Sequence, residues 1–127
     1  MNIDEVSRRY QIPTDVLRTY ERWGLGPADG QYGDADLDSL SLLLTLQDIG
    51  FSPGETEAYM RLRASGADTG AQRLGMLETR RAAALEEIHA REKQLERLDY
   101  LRHELRKRTE EAEKTGNPIK ITRRNDS

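Results

Sequence analysis

From Ala71 to Glu113 the chain contains no proline and a single glycine, Gly75, while alanine, leucine, glutamate, arginine and lysine dominate. This predicts one uninterrupted helix of about 44 residues, roughly 65 Å long at 1.5 Å per residue. Its apolar stripe is Leu74, Leu77, Ala84, Leu85, Ile88, Leu95, Leu98, Leu101 and Leu105. Positions 74, 77, 81, 84, 88, 91, 95, 98, 102 and 105 alternate in steps of three and four, the spacing of a heptad seam. Arg81, Arg91 and Arg102 interrupt the seam. They shorten its dry part, and their long stems suit its edges. A lone helix cannot hold such a leucine stripe in water. Only a second copy offers a helix of matching length, so a homodimer through Leu77, Leu85, Ile88, Leu95, Leu98 and Leu105 is expected.

Upstream, shorter helices are separated by turn residues. Asn2 is a candidate N-cap for a helix over 3–9, in which Ile3 and Val6 share a face. Tyr10-Gln11-Ile12-Pro13 breaks that pattern. Pro13 suits the first turn of a second helix, which carries Val16, Leu17 and Tyr20 on one side and stops near Trp23 and Gly24. Two short helices joined by a tight turn form a helix-turn-helix. Gly24, Gly26, Pro27, Gly30 and Gly33 then crowd residues 24–35. Asp29-Gly30 fits either a type I′ turn in a short β-hairpin, which would be a wing, or an irregular loop.

A third helix begins at Asp34 or Asp36, carries Leu37, Leu40, Leu43 and Leu44 at helical spacing, and ends at Gly50. Ser52-Pro53-Gly54-Glu55 is a capping box with proline at the first helical position, and Phe51 is placed to staple it. That helix continues through Ala58, Tyr59 and Leu62. Thr69-Gly70-Ala71-Gln72 reads as a second capping box, opening the long helix. The chain thus divides into a head over 1–66, a dimerisation helix over 69–113 and a flexible polar tail over 114–127.

Charge is unevenly spread. Residues 1–70 hold 6 arginines against 12 carboxylates, whereas residues 71–127 hold 14 basic and 11 acidic residues. Apolar residues make up 35% and charged residues 34%, a balance that suits a modest core and a large solvated surface. No apolar run approaches the ~20 residues of a membrane span. The acidic start Met1-Asn2-Ile3-Asp4-Glu5 is not a signal core, so a cytoplasmic chain without membrane association is expected. Without cysteine there is no disulfide, thiolate site or thiol switch. His89 and His103 have no second ligand one turn away, and no metal or cofactor is expected. Asp34, Asp36 and Asp38 lack the glycine and distal glutamate of a calcium loop and read better as support for a helix N-terminus. No phosphate-binding glycine loop and no nucleophile with a nearby base is present, so the chain does not read as an enzyme.

The order of these parts resembles the MerR family of bacterial transcription regulators. The resemblance rests on Ile3-Asp4-Glu5-Val6-Ser7-Arg8-Arg9 and on Ile12-Pro13-Thr14-Asp15-Val16 running into Leu17-Arg18-Thr19-Tyr20-Glu21 and Gly24-Leu25. It continues through Tyr32-Gly33-Asp34, Ile49-Gly50-Phe51-Ser52 and Leu98-Asp99-Tyr100-Leu101, and so covers about residues 1–113. What it implies is a mainly α fold: a winged helix-turn-helix head followed by a long helix that pairs as an antiparallel coiled coil. It also implies double-stranded promoter DNA as partner, with the second helix in a major groove.

On that resemblance the candidate DNA-binding residues are Arg8, Arg9, Thr14, Arg18, Thr19, Tyr20 and Tyr32. Each has a plainer reading. Tyr20 packs in the core, Tyr32 anchors the loop, Arg18 pairs with Glu21, and Arg8 and Arg9 form a solvated face. The sequence also departs from the family pattern. Asp15 stands where a basic residue is common, Thr19 replaces the first of two aromatics, and Gly30 replaces a wing arginine. Nucleic-acid binders normally carry a basic footprint, and this head is acidic. A module that binds a basic protein partner on the same scaffold is therefore the alternative.

Overall fold

The computed structural model describes residues 1–114. The chain forms five helices: α1 (Ile3–Tyr10), α2 (Thr14–Arg22), α3 (Asp34–Asp48), α4 (Pro53–Ala64) and α5 (Gly70–Lys114). No strand occurs among the described residues. The tail expected over 114–127 lies, beyond Lys114, outside the described residues. The chain divides into two compact units, Met1–Ala82 and Ala83–Ser127.

Local sequence chemistry sets the ends of the first four helices. At α1 the Asn2 carboxamide accepts from the Glu5 N–H at 2.9 Å, and the Glu5 carboxylate accepts from the Asn2 N–H at 3.0 Å. Asn2 thus completes a reciprocal box, more than the simple cap expected. Pro13 precedes α2 as its N-cap residue, one position before the helical place expected for it, and supplies no side-chain cap. The α2 terminus closes with the Leu25 N–H on the Tyr20 carbonyl and the Gly24 N–H on the Glu21 carbonyl. This paired closure is a Schellman motif. The same pair recurs after α3, where Phe51 bonds to Leu46 and Gly50 to Gln47. Gly50 has φ +97°, and a β-carbon there would lie 3.2 Å from Cζ of Arg80. The position needs glycine for its backbone and for the close approach of that side chain.

The α4 box forms as the sequence reads. Ser52 Oγ accepts from the Glu55 N–H at 3.1 Å, and the Glu55 carboxylate accepts from the Ser52 N–H at 2.8 Å. Phe51 is buried and meets Tyr59 edge to face with ring centroids 6.0 Å apart. The inner face of α4 is Thr56, Tyr59 and Met60, whereas Ala58 is exposed. Thr56 is buried because its hydroxyl donates to the Ser52 carbonyl at 2.9 Å and needs no water.

The box expected at Thr69 does not form. The Thr69 hydroxyl donates back to the Leu62 carbonyl at 2.9 Å and accepts from Nε of Arg73 at 3.0 Å. It ties the end of α4 to the first turn of α5, because the last-turn carbonyls of α4 also need donors.

The core of the first unit is one cluster of Val6, Ile12, Leu17, Tyr20, Tyr32, Leu40, Leu43, Leu46, Phe51, Tyr59 and Met60. Every helix from α1 to α4 contributes to it, and each fully buried leucine is worth about 1.5–3 kcal/mol in transfer terms. Met76 and Leu77 pack against the cluster from the start of α5. Those first turns therefore belong to the head's compact unit, which extends to Ala82.

The glycine-rich segment is a loop, not a hairpin. The Gly30 N–H bonds to the Pro27 carbonyl at 3.1 Å, and the Gln31 N–H to Oδ1 of Asp29 at 3.0 Å. Asp29-Gly30 thus closes a local turn. The backbone of Tyr32 pairs with Met1: its N–H donates to the Met1 carbonyl at 2.6 Å, and its carbonyl accepts from the Met1 amino group at 3.1 Å. Those groups are committed to the chain start, so residues 24–33 do not pair with one another as two strands. At α3 the Asp36 carboxylate accepts from the Gly33 N–H at 3.0 Å, which gives one of the clustered acids the helix-start role read from sequence.

The second unit contains the remainder of α5, which is helical through Lys114. Its large apolar residues Leu85, Ile88, Leu95, Leu98, Leu101 and Leu105 are exposed, from 39% at Leu85 to 66% at Leu105. In the single chain this stripe is left uncovered.

Candidate functional site

The outward face of α2 is the best-formed candidate. Leu17 and Tyr20 point into the core, with exposures of 0% and 3%. At 100° per residue this leaves Asp15, Arg18, Thr19 and Arg22 on the opposite side, within one arc. Asp15, Arg18 and Arg22 are exposed, and Thr19 and Thr14 are partly buried.

Within this arc one arginine is held and one is free. The Thr19 hydroxyl donates to the Asp15 carbonyl at 2.8 Å and accepts from an Arg22 nitrogen at 2.9 Å. Its proton is thereby used inside the helix, and the group holds Arg22 in place. From sequence, Thr19 is expected to make a direct contact with DNA. The i, i+3 spacing of Thr19 and Arg22 was the signal for their pairing. Among the described residues Arg18 has no side-chain hydrogen bond or ion pair, so the pairing with Glu21 is not formed. Glu21 instead accepts from the Tyr32 hydroxyl at 2.9 Å.

The two candidate tyrosines lie in the core. Tyr32 is 3% exposed, and burial raises the pKa of its phenol strongly, with the Glu21 carboxylate adding to the shift. Tyr20 is raised chiefly by burial as well. Nearby, the Ser39 hydroxyl accepts from Arg63 at 2.8 Å. That bond links α3 and α4. Both tyrosines therefore position the helix and loop from below.

On α1, Arg8 and Arg9 are exposed. Arg8 Nε reaches the Asp4 carbonyl at 3.4 Å, and the Arg9 guanidinium lies 5.9 Å from the centroid of the Tyr10 ring. Both contacts are local and leave the charges in water. Of the six residues assigned to dimerisation, Leu77 packs on the head core, whereas Leu85, Ile88, Leu95, Leu98 and Leu105 are exposed on α5. Along this stripe Ala84, Ile88, Arg91 and Leu95 line a shallow groove, with Glu87 and Glu92 beside it. No group of three or more potential metal ligands occurs among the described residues. No described helix is long and apolar enough to cross a membrane.

Comparison with known proteins agrees with this arrangement. Residues 1–62 match the family model of the MerR HTH family regulatory proteins. The fold is similar to the crystal structure of a protein from Listeria monocytogenes assigned to the MerR family of transcriptional regulators. The identity is 25% and the TM-score 0.67, over 97% of this chain and 98% of that one. No curated protein matches the chain. Over residues 1–62 the head is thus similar to the MerR HTH regulatory proteins, and the likeness of fold to the Listeria protein runs on through the long helix.

Proposed function

We propose that this protein is a dimeric transcription regulator of the cytoplasm that binds promoter DNA through its head, residues 1–66, and pairs with a second copy through residues 69–113. The observation that carries the reading is the outward face of α2, where Arg18 is exposed and uncommitted and Arg22 is held by Thr19 at 2.9 Å. An arginine with a free guanidinium suits a phosphate or a base edge, to which it donates two parallel hydrogen bonds. Arg8 and Arg9 on α1 add cations for the sugar-phosphate backbone. The exposed leucines of α5 supply the dimer, and its two-fold symmetry matches a site of two symmetric half-sites. The acidic remainder of the head lowers non-specific attraction to DNA and leaves affinity to rest on few contacts.

The test is binding of the purified protein to DNA from upstream of its own gene, titrated with salt, beside Arg18→Ala. Binding that weakens steeply with salt and is lost in the variant supports the reading. An intact dimer that binds no such fragment at low salt and micromolar concentration overturns it.

A further inference from the structure

We infer that Asp15 and Arg18 together select a G·C step in each half-site, Asp15 by accepting a hydrogen bond from the exocyclic amino group of cytosine and Arg18 by donating to O6 and N7 of guanine. This rests on the reading of α2 as the helix that faces DNA. Both residues are exposed on the outward arc of α2, and among the described residues neither side chain has a hydrogen-bond or ion-pair partner. They stand three residues apart, about 4.5 Å along the helix axis. That is close to the 3.4 Å rise between base pairs, so the two side chains reach the same pair or adjacent ones. In the major groove, cytosine presents an amino donor and guanine two acceptors. A carboxylate is repelled by phosphate and by acceptor edges, and it accepts best from the cytosine amino group, because adenine sets the acceptor N7 beside its own. A guanidinium matches the guanine edge bidentately. One residue thus excludes what the other does not bind, and the carboxylate works chiefly by rejecting wrong sequences.

Arg22 does not share this task, because Thr19 holds its guanidinium back along the helix. Asp15 also lies in the first turn of α2, which has no side-chain cap, and its charge favours the helix start. That role requires only a negative charge and gives no preference among bases, so the two roles are separable.

The experiment is selection of binding sites from randomised duplex DNA by the full chain, for wild type, Asp15→Asn, Asp15→Glu and Arg18→Ala, with the helix content of each variant followed by circular dichroism. Wild type is expected to select G·C pairs at the same place in both half-sites. Asp15→Asn should move the cytosine preference toward adenine, since a carboxamide pairs with the adenine edge, and should bind unrelated DNA more tightly. Discrimination for cytosine should fall by roughly 5- to 150-fold, the range of one good base contact. Asp15→Glu should keep the cytosine preference, and Arg18→Ala should lose the guanine preference. If Asp15→Asn keeps the base preferences of wild type and merely binds everything more tightly, the assignment fails while the DNA-binding reading stands. If wild type selects no DNA, that reading fails and this assignment with it.

Discussion

The phenol of Tyr32 donates a hydrogen bond to the carboxylate of Glu21 at 2.9 Å and so fastens the loop that follows α2 back onto α2 itself. The ring is almost wholly buried while the carboxylate is exposed. Tyr32→Phe keeps the ring and loses this bond. Stability should fall by about 1 kcal/mol, the typical net worth of a hydrogen bond, because water still reaches Glu21. Urea denaturation measures it.

The same residue makes the fold sensitive to alkali. Burial, and then the Glu21 carboxylate, raise the Tyr32 pKa above its ordinary value of 10.0. The folded state therefore holds this proton more tightly than the unfolded chain does. That contribution is complete below pH 10 and is lost as pH rises toward the folded value. Ultraviolet titration should show late ionisation of Tyr20 and Tyr32, and Tyr32→Phe should remove one late step and flatten the alkaline loss of stability.

Acid acts at the start of α4. The Glu55 carboxylate is held below its ordinary value by its hydrogen bonds with the Ser52 backbone and hydroxyl, with Arg80 adding a smaller effect. A lowered folded pKa stabilises above the unfolded value of about 4.5 and ceases to do so as pH falls through the folded one. Glu55→Gln should therefore lower the melting temperature at neutral pH and converge with wild type in acid.

Gly50 is the head's most demanding backbone position, with φ +97° and Arg80 packed over it. Gly50→Ala should cost about 1–3 kcal/mol through backbone strain and a displaced arginine. Leu40→Ala, by contrast, removes a side chain with 0% exposure and should cost about 2–5 kcal/mol through a cavity. Thermal unfolding of the two variants separates the mechanisms: Gly50→Asn should recover part of the first loss, since asparagine tolerates positive φ.

Ile88→Glu places a charge on the α5 stripe, where the side chain is 53% exposed in the single chain. In the proposed dimer two such residues each forfeit about 1.5–3 kcal/mol of burial, so dimer affinity should fall by 100-fold or more. Sedimentation shows this as a shift to monomer with the head's near-ultraviolet signal retained. An unchanged dimer places the interface elsewhere.

Much of this protein was legible as sequence because its signals are local. Asn2 and Glu5, Ser52 and Glu55, and the glycines after α2 and α3 set helix ends through bonds within a few residues. The proline-free run from Ala71 predicted α5, and the residues about Leu17, Arg18 and Tyr20 carried the family resemblance. Tertiary structure decided what depends on contacts far apart in the chain. Asp29-Gly30 fits a hairpin as a dipeptide, but the neighbouring Tyr32 backbone pairs with Met1, thirty-one residues away, and the segment is a loop. Tyr20 and Tyr32 suit either surface or core until the packed chain buries both rings and Glu21 accepts from the Tyr32 hydroxyl. Thr69 has the pattern of a cap and spends its hydroxyl on Leu62 instead. Leu77 keeps the heptad spacing and packs on the head, because burial answers to the nearest apolar surface and not to the repeat. A polar or apolar group declares its type in the sequence, and only the packed chain determines which partner satisfies it.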